Sequence, residues 1–212
     1  MNLIKFYVLV KIIEKNDKLC YNKQACKEIF YLFTEGNQMR NKNYVKDLIL
    51  TAFFIAMGII LPMAFHYFGG TGPVFLPMHI PVLLCGFVCG WKYGLIAGII
   101  TPLLSSILTG MPPIFPIGAG MVCELAVYGL LCGLLYKSFK RNVYLSLIIS
   151  MIGGRMISGI ANMIFFGIAG KPYGLSVFLT GAFVTSIPGI VIQIIFIPII
   201  IIALKKAGQL KD

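Results

Sequence analysis

A single acidic side chain stands in the middle of a long apolar stretch of this sequence. Glu124 lies within the apolar run at 117–136, and it is the only carboxylate side chain between Asp47 and Asp212. An ionisable group in hydrocarbon costs several kcal/mol unless it is paired or faces water, so intramembrane acids are functional candidates by default. Glu124 therefore marks a predicted site.

A second apolar run, 143–168, carries a polar stripe that could work with this acid. Arg155 and Asn162 are seven residues apart and so share one helix face, with Ser158 on the same side. A guanidinium and a carboxylate can hold a polar solute by charge-assisted hydrogen bonds. They can also simply pair with each other and hold a helix bundle together. Both roles are compatible, because a solute can insert between the pair.

Two further polar residues are candidates for the same solute site. Gln193 forms a weaker stripe with Ser186, again seven residues apart, in the last apolar run. His79 follows Pro77 near the start of another apolar run and is the other titratable candidate. A lone histidine in such a place is more often an interfacial residue than a ligand, and both readings stay open.

The composition predicts the environment in which these residues lie. Hydrophobic residues make up 58% of the 212 residues and charged residues only 12%, against about 25% in an ordinary soluble domain. The sequence therefore predicts an all-α integral membrane protein in a lipid bilayer. The net charge of +11 does not indicate nucleic acid, because Lys and Arg are scattered between apolar runs and not gathered on one face.

The elements that must position the polar residues are predicted from the apolar runs, since a helix needs roughly 20 residues to cross a bilayer. We predict a bundle of six transmembrane helices, at residues 48–65, 75–90, 93–108, 117–136, 143–168 and 176–204. The second and third are interrupted by Pro77, Pro81 and Pro102, which disfavour a regular helix interior.

Charge placement supports this count and orients the chain, because short cytoplasmic loops are rich in Lys and Arg. The predicted inner side receives ten basic residues: Arg40, Lys42, Lys46, Lys92, Lys137, Lys140, Arg141, Lys205, Lys206 and Lys211. The outer side receives only Lys171. Both termini are then cytoplasmic. At about 1.5 Å per residue, Glu124 lies roughly 12 Å below the outer end of its span, between Asn162 at roughly 9 Å and Arg155 at roughly 20 Å.

The first 46 residues differ from the rest of the chain. They hold four of the seven acids and no apolar stretch long enough to span a membrane. We predict a cytoplasmic extension at 1–46 followed by a single transmembrane substrate-binding domain at 47–212. A sharper hypothesis is that translation starts at Met39, which would place residues 1–38 outside the native protein.

Catalytic, nucleotide and metal motifs are missing from the sequence. No G-x-x-x-x-G-K-[ST], H-E-x-x-H or G-x-S-x-G pattern occurs, and the cysteines lack the spacing of metal ligands. We therefore expect no metal and no cofactor, and one carboxylate with two histidines gives little material for an intramembrane enzyme. A self-contained secondary transporter stays open as an alternative, although no inverted repeat relates the two halves.

Several stretches together resemble a known family. These are Ala52-x-x-x-Ala56 in the first span, FLPMHIPVLLCGFVCGWKYG at 75–94, TPLLSSILTGMPPIFP at 101–116 and Glu124 in the fourth span. In combination they resemble a substrate-binding S component of an energy-coupling factor (ECF) type vitamin transporter, over about residues 44–204. Each small-residue motif alone has little specificity.

The resemblance implies a function and partners. Such proteins capture a water-soluble vitamin or precursor from outside a bacterial cell, in its plasma membrane. They deliver it inward with a transmembrane coupling protein and two ABC ATPases. The family's alanine motif corresponds to Ala52 and Ala56, which implies contact with the coupling protein. Its pocket corresponds only by location to Glu124, Arg155, Asn162 and Gln193, and neither these residues nor the family choose among pantothenate, niacin, pyridoxine and a cobalamin precursor.

Overall fold

The computed structural model describes residues 44–65, 72–170, 174–208 and 210, and every regular element in these ranges is helical. The predicted all-α fold is thus confirmed for this part of the chain. The predicted extension at 1–46 lies almost wholly outside it, as do Met39 and Lys171, and the two-part domain organisation stays a prediction.

The helices are named α1 to α8 in chain order. The first half contains α1 (Tyr44–Phe65), α2 (Gly72–Phe75), α3 (His79–Cys89) and α4 (Trp91–Thr109). The second half contains α5 (Ala119–Gly133) between π-helical segments at Ile114–Gly118 and Leu134–Ser138, then α6 (Val143–Ile168), α7 (Leu175–Leu179), a π-helical segment at Thr180–Val184, and α8 (Ile187–Lys206).

Five helical stretches of the described residues are long and apolar enough to cross a membrane: Tyr44–Phe65, Trp91–Thr109, Ile114–Ser138, Val143–Ile168 and Ile187–Lys206. They correspond to five of the six predicted spans, and α6 has the predicted bounds. The count of six spans and the cytoplasmic placement of both termini stay predictions.

The second predicted span, 75–90, is shorter in the structure than expected. Helix α3 has only 11 residues, about half of what a full crossing needs. Leu76 lies before it in a left-handed conformation with φ of 50°. Gly90, with φ of 100°, ends α3 and lets α4 begin at the next residue.

The last predicted span, 176–204, is interrupted. Helix α7 and the π-helical segment after it end before Ser186, which has non-helical φ and ψ of −91° and 1°. Pro188 then lies in the first turn of α8. Proline is tolerated there because backbone N–H groups of the first turn make no intrahelical hydrogen bond. The long apolar run is therefore a short helix followed by a separate 20-residue helix.

Helices α4 and α5 pack closely and antiparallel, and the glycines of the sequence explain how. Gly98 lies against the backbone of Leu125, and Gly94 lies against the backbone of Gly129. A Cβ at Gly98 or Gly129 would overlap the facing backbone. Small residues permit such close approach where lipid gives no hydrophobic driving force between helices. Because α5 also packs on α3 and α6, it is the central helix.

One end of the bundle is basic. Gly90 lies beside the side chain of Lys137: a Cβ added at Gly90 would be 3.3 Å from Cδ of Lys137. The ammonium of Lys205 lies 5.4 Å from the ring centroid of Tyr136. The start of α4, the end of the α5 region and the end of α8 therefore meet at the same end. An apolar core that includes Phe87, Leu147 and Ile201 fills the bundle above it.

Candidate solute-binding site

A cavity of about 420 Å³ lies toward the end of the bundle away from the basic residues. Its walls come from the C-terminal part of α1, the start of α3, the segment between α4 and α5, α5 itself, the C-terminal half of α6, and the α7 region. The polar wall residues are His79, Glu124, Arg155, Ser158, Asn162 and Ser186. The apolar wall is rich in methionine and proline: Met78, Met111, Met121, Pro62, Pro77, Pro112 and Pro113.

Glu124 is held by two neighbours that come from different helices. The hydroxyl of Tyr128, one turn along α5, donates a hydrogen bond of 3.0 Å to Oε1 of Glu124. Nε2 of His79, at the first turn of α3, lies 3.6 Å from the same oxygen. The sequence pointed to Arg155 as the partner of Glu124, and the structure also places His79 beside the carboxylate.

Arg155 belongs to the same cavity wall. It is 4% exposed, and its positive charge attracts the Glu124 carboxylate. The described part of the chain therefore brings an acid, a guanidinium and an imidazole around one small volume. Ionisable groups in a membrane protein usually line a cavity of this kind, since exposure to lipid is costly.

The predicted polar stripe of α6 faces the cavity with all three of its members. Nδ2 of Asn162 donates a hydrogen bond of 3.3 Å to the hydroxyl of Ser158. Oδ1 of Asn162 fits against Gly120 of α5, where any side chain would overlap it. That Arg155, Ser158 and Asn162 bind solute stays a prediction.

Gln193 is placed differently from the other predicted residues. It is fully buried in α8 and is not part of the cavity wall. Ser186, its partner in the predicted stripe, does line the cavity, and its hydroxyl donates a 2.7 Å hydrogen bond to the carbonyl of Gly181. Ser186 is the N-cap residue of α8 and Gln193 lies about two turns further along the same helix, so Ser186 is at the end of the stripe nearer the cavity.

Sequence reasoning missed the apolar part of the wall. Met78, Met121 and Phe178 line the cavity, yet nothing in their sequence positions distinguishes them from residues that face lipid or the core. Pro112 and Pro113 lie in the turn between α4 and the π-helical segment that precedes α5. The structure shows that this turn forms a wall.

Hydroxyl groups at the end of α4 hold that wall in place. The Ser105 hydroxyl donates to the carbonyl of Met111 at 2.9 Å, and the Ser106 hydroxyl donates to the carbonyl of Pro112 at 2.6 Å. The amide of Gly118 donates to the carbonyl of Pro113 at 2.8 Å. Three successive loop carbonyls are thus bonded to neighbouring helical segments, and these bonds hold Met111–Pro113 in the cavity wall.

Removing both hydroxyls should loosen this wall. We expect Ser105→Ala with Ser106→Ala to weaken solute binding about three- to tenfold, mainly through faster dissociation, since each net hydrogen bond contributes about 0.5–1.5 kcal/mol. Dissociation rates measured on the purified protein test this. Ser150→Ala is the matched control, because Ser150 makes a similar 2.6 Å bond to the Ser146 carbonyl away from the cavity. An equal effect in the control would contradict a role for the loop.

The two alanines of the first span lie outside the cavity. Ala52 and Ala56 are one turn apart on α1, and both are exposed. Of the 18 most apolar consecutive residues of α1 only 11% are buried, compared with 28–44% for the same length of the other long helices. Helix α1 therefore presents an accessible face that the described residues do not cover.

The described residues contain no group of three or more His, Cys, Asp or Glu side chains that could hold a metal ion. Cys85 and Cys89 lie one turn apart on α3 and are buried. The thiol of Cys85 is 3.8 Å from the hydroxyl of Thr51, so its surroundings there are those of a packed side chain.

Comparison with known proteins identifies the family. A family model described as the substrate-specific component of ECF transporters matches residues 46–201, which include the cavity wall and the exposed face of α1. No curated protein and no solved structure matches the chain. The chain belongs to the substrate-specific components of ECF transporters, and it is a membrane subunit of an importer that selects a small-molecule substrate.

Proposed function

We propose that this chain captures a water-soluble vitamin or vitamin precursor from outside a bacterial cell and holds it in the cavity beside Glu124 and Arg155. The observation that carries the proposal is the cavity itself, which gathers three ionisable side chains at one end of an apolar bundle. A carboxylate and a guanidinium are expensive to place in a membrane unless they meet a partner or a polar solute.

The direction of capture follows from the charges. Lys92, Lys137 and Lys205 lie at the end of the bundle opposite the cavity. Since basic residues favour the cytoplasmic side, the cavity would open outward in the plasma membrane. Both termini would then be cytoplasmic, with the short helix α3 completing a sixth, partly shielded crossing.

The cavity supports a solute of limited size and little net charge. A volume of about 420 Å³ falls in the usual range for small-molecule sites. Glu124 and Arg155 together contribute no net charge, so a zwitterion or a polar ring with hydroxyls fits better than a strongly charged solute. Pantothenate, niacin, pyridoxine and a cobalamin precursor are the candidates within this class.

The energy for import would come from partners. The sequence contains no nucleotide-binding motif, so the chain needs a separate source of ATP hydrolysis. We propose that a transmembrane coupling protein with two ABC ATPases supplies it, and that the coupling protein docks on the face of α1 formed by Ala52 and Ala56. This docking is consistent with the family and with the exposure of both alanines.

The direct test is the identity of a bound solute. We expect the purified protein to retain one vitamin-class solute, detectable by mass spectrometry after denaturation, and to rebind it without ATP. Uptake into vesicles should require the coupling protein and ATPases. Uptake by the chain alone, driven by an ion gradient, would instead assign it to the secondary transporters.

A further inference from the structure

The side chains of His79 and Glu124 lie close together but do not form a hydrogen bond with each other. Their nearest atoms, Nε2 and Oε1, are 3.6 Å apart, which is longer than a hydrogen bond. The His79 side chain is 2% exposed, and neither ring nitrogen has a hydrogen-bond partner among the described residues. A buried donor or acceptor without a partner costs about 1–3 kcal/mol, so this arrangement is incomplete without a further polar group.

We propose that a hydroxyl group of the solute lies beside this gap and bonds to both His79 and Glu124. The inference rests on the proposed function, and it specifies the class of solute. The solute carries at least one hydrogen-bond donor on an uncharged part of the molecule, and a carboxylate is not its only polar group.

The geometry of the gap fits a single small group. An oxygen placed about 2.8 Å from both atoms can donate its proton to the carboxylate and accept one from the imidazole N–H. A solute carboxylate in the same place would be repelled by Glu124. Any acidic group of the solute is therefore directed to Arg155, which also lines the cavity.

Tyr128 positions both members of the pair. Its hydroxyl donates to Oε1 of Glu124, and its ring centroid lies 5.4 Å from that of His79 in an edge-on contact. The ring lies directly against Gly154 of α6, where any Cβ would overlap it. One ring therefore contacts both side chains and positions them relative to each other.

A set of small probes tests the inference. Pyridoxine and pantothenate carry hydroxyl groups, whereas nicotinate is a pyridine ring whose polar substituent is a carboxylate alone. We expect at least one hydroxyl-bearing probe to bind the purified full-length protein at least tenfold more tightly than nicotinate. Nicotinate binding as tightly as, or more tightly than, both other probes would overturn the inference and leave the proposed function standing.

Two variants locate the effect. We expect Glu124→Gln, which removes the charge, and His79→Phe, which keeps the aromatic contact with Tyr128, each to weaken the preferred probe at least tenfold. Ser150→Ala is the control for changes in fold, with thermal unfolding of each unliganded variant measured alongside. Affinity within twofold of the parent in both variants would overturn the inference. Failure of all three probes, with no solute retained on purification, would overturn both this inference and the proposed function.

Discussion

Replacing Ala56 with tryptophan is expected to abolish solute uptake while leaving solute binding unchanged. Ala52 and Ala56 form an exposed small-residue strip on α1, the least buried of the long helices. Helices associate within a membrane through close backbone approach at such small residues. An indole on this strip would hold a coupling protein away, and we expect uptake to fall at least tenfold for Ala52→Trp or Ala56→Trp.

The measurement separates binding from transport. Solute binding is measured on the purified chain, and uptake is measured in vesicles that also contain the coupling protein and ATPases. Ile107→Trp is the matched control, because Ile107 on α4 is 70% exposed and lies outside the alanine strip. Loss of binding in the alanine variants would place these residues in the packing of the bundle and contradict the proposed interface.

The second large effect is expected at the charged wall of the cavity. Arg155→Ala should weaken solute binding about 10- to 100-fold, because a hydrogen bond to a charged group contributes about 1.5–3 kcal/mol. It would also remove the positive charge that attracts Glu124. Glu124→Ala should weaken binding by at least about 1 kcal/mol if the carboxylate contacts the solute.

Affinity for the retained solute, measured by calorimetry without ATP, checks this prediction. Arg155→Lys should recover part of the affinity, since it keeps the charge but loses the planar fork of donors. Arg141→Ala controls for general loss of positive charge, because Arg141 is exposed and lies outside the cavity wall. If Arg155→Ala and Glu124→Ala both bound solute normally, the assignment of this site would be wrong.

Much of the architecture is determined by local properties of the sequence. Hydrophobic length predicts where a helix can cross a bilayer, so the predicted bounds of α6 are those of the structure. Helical periodicity places Arg155, Ser158 and Asn162 on one face, and the structure shows that face on the cavity. Both inferences need only spacing within a single helix.

Breaks within the apolar runs were harder to predict. Pro77 and Pro81 indicated an irregular second span, but the left-handed turn at Leu76 and the length of α3 appear only in the structure. The interruption before α8 lies at Ser186 and Pro188, a helix-start signal inside the apolar run that the single predicted span at 176–204 did not use. That Gln193 binds solute stays a prediction, and the structure buries this residue in α8 outside the cavity wall.

The tertiary structure alone decided which side chains meet. The sequence indicated that Glu124 needs a partner, and it offered Arg155 because both are charged and at similar depth. The structure brings His79 of α3 within 3.6 Å of Glu124, with Tyr128 bonded to the same oxygen. Local spacing determines the face of each helix. The rotation and separation of neighbouring helices depend on packing across the bundle, such as the contact of Gly98 with Leu125. The periodicity of one helix carries no information about this packing.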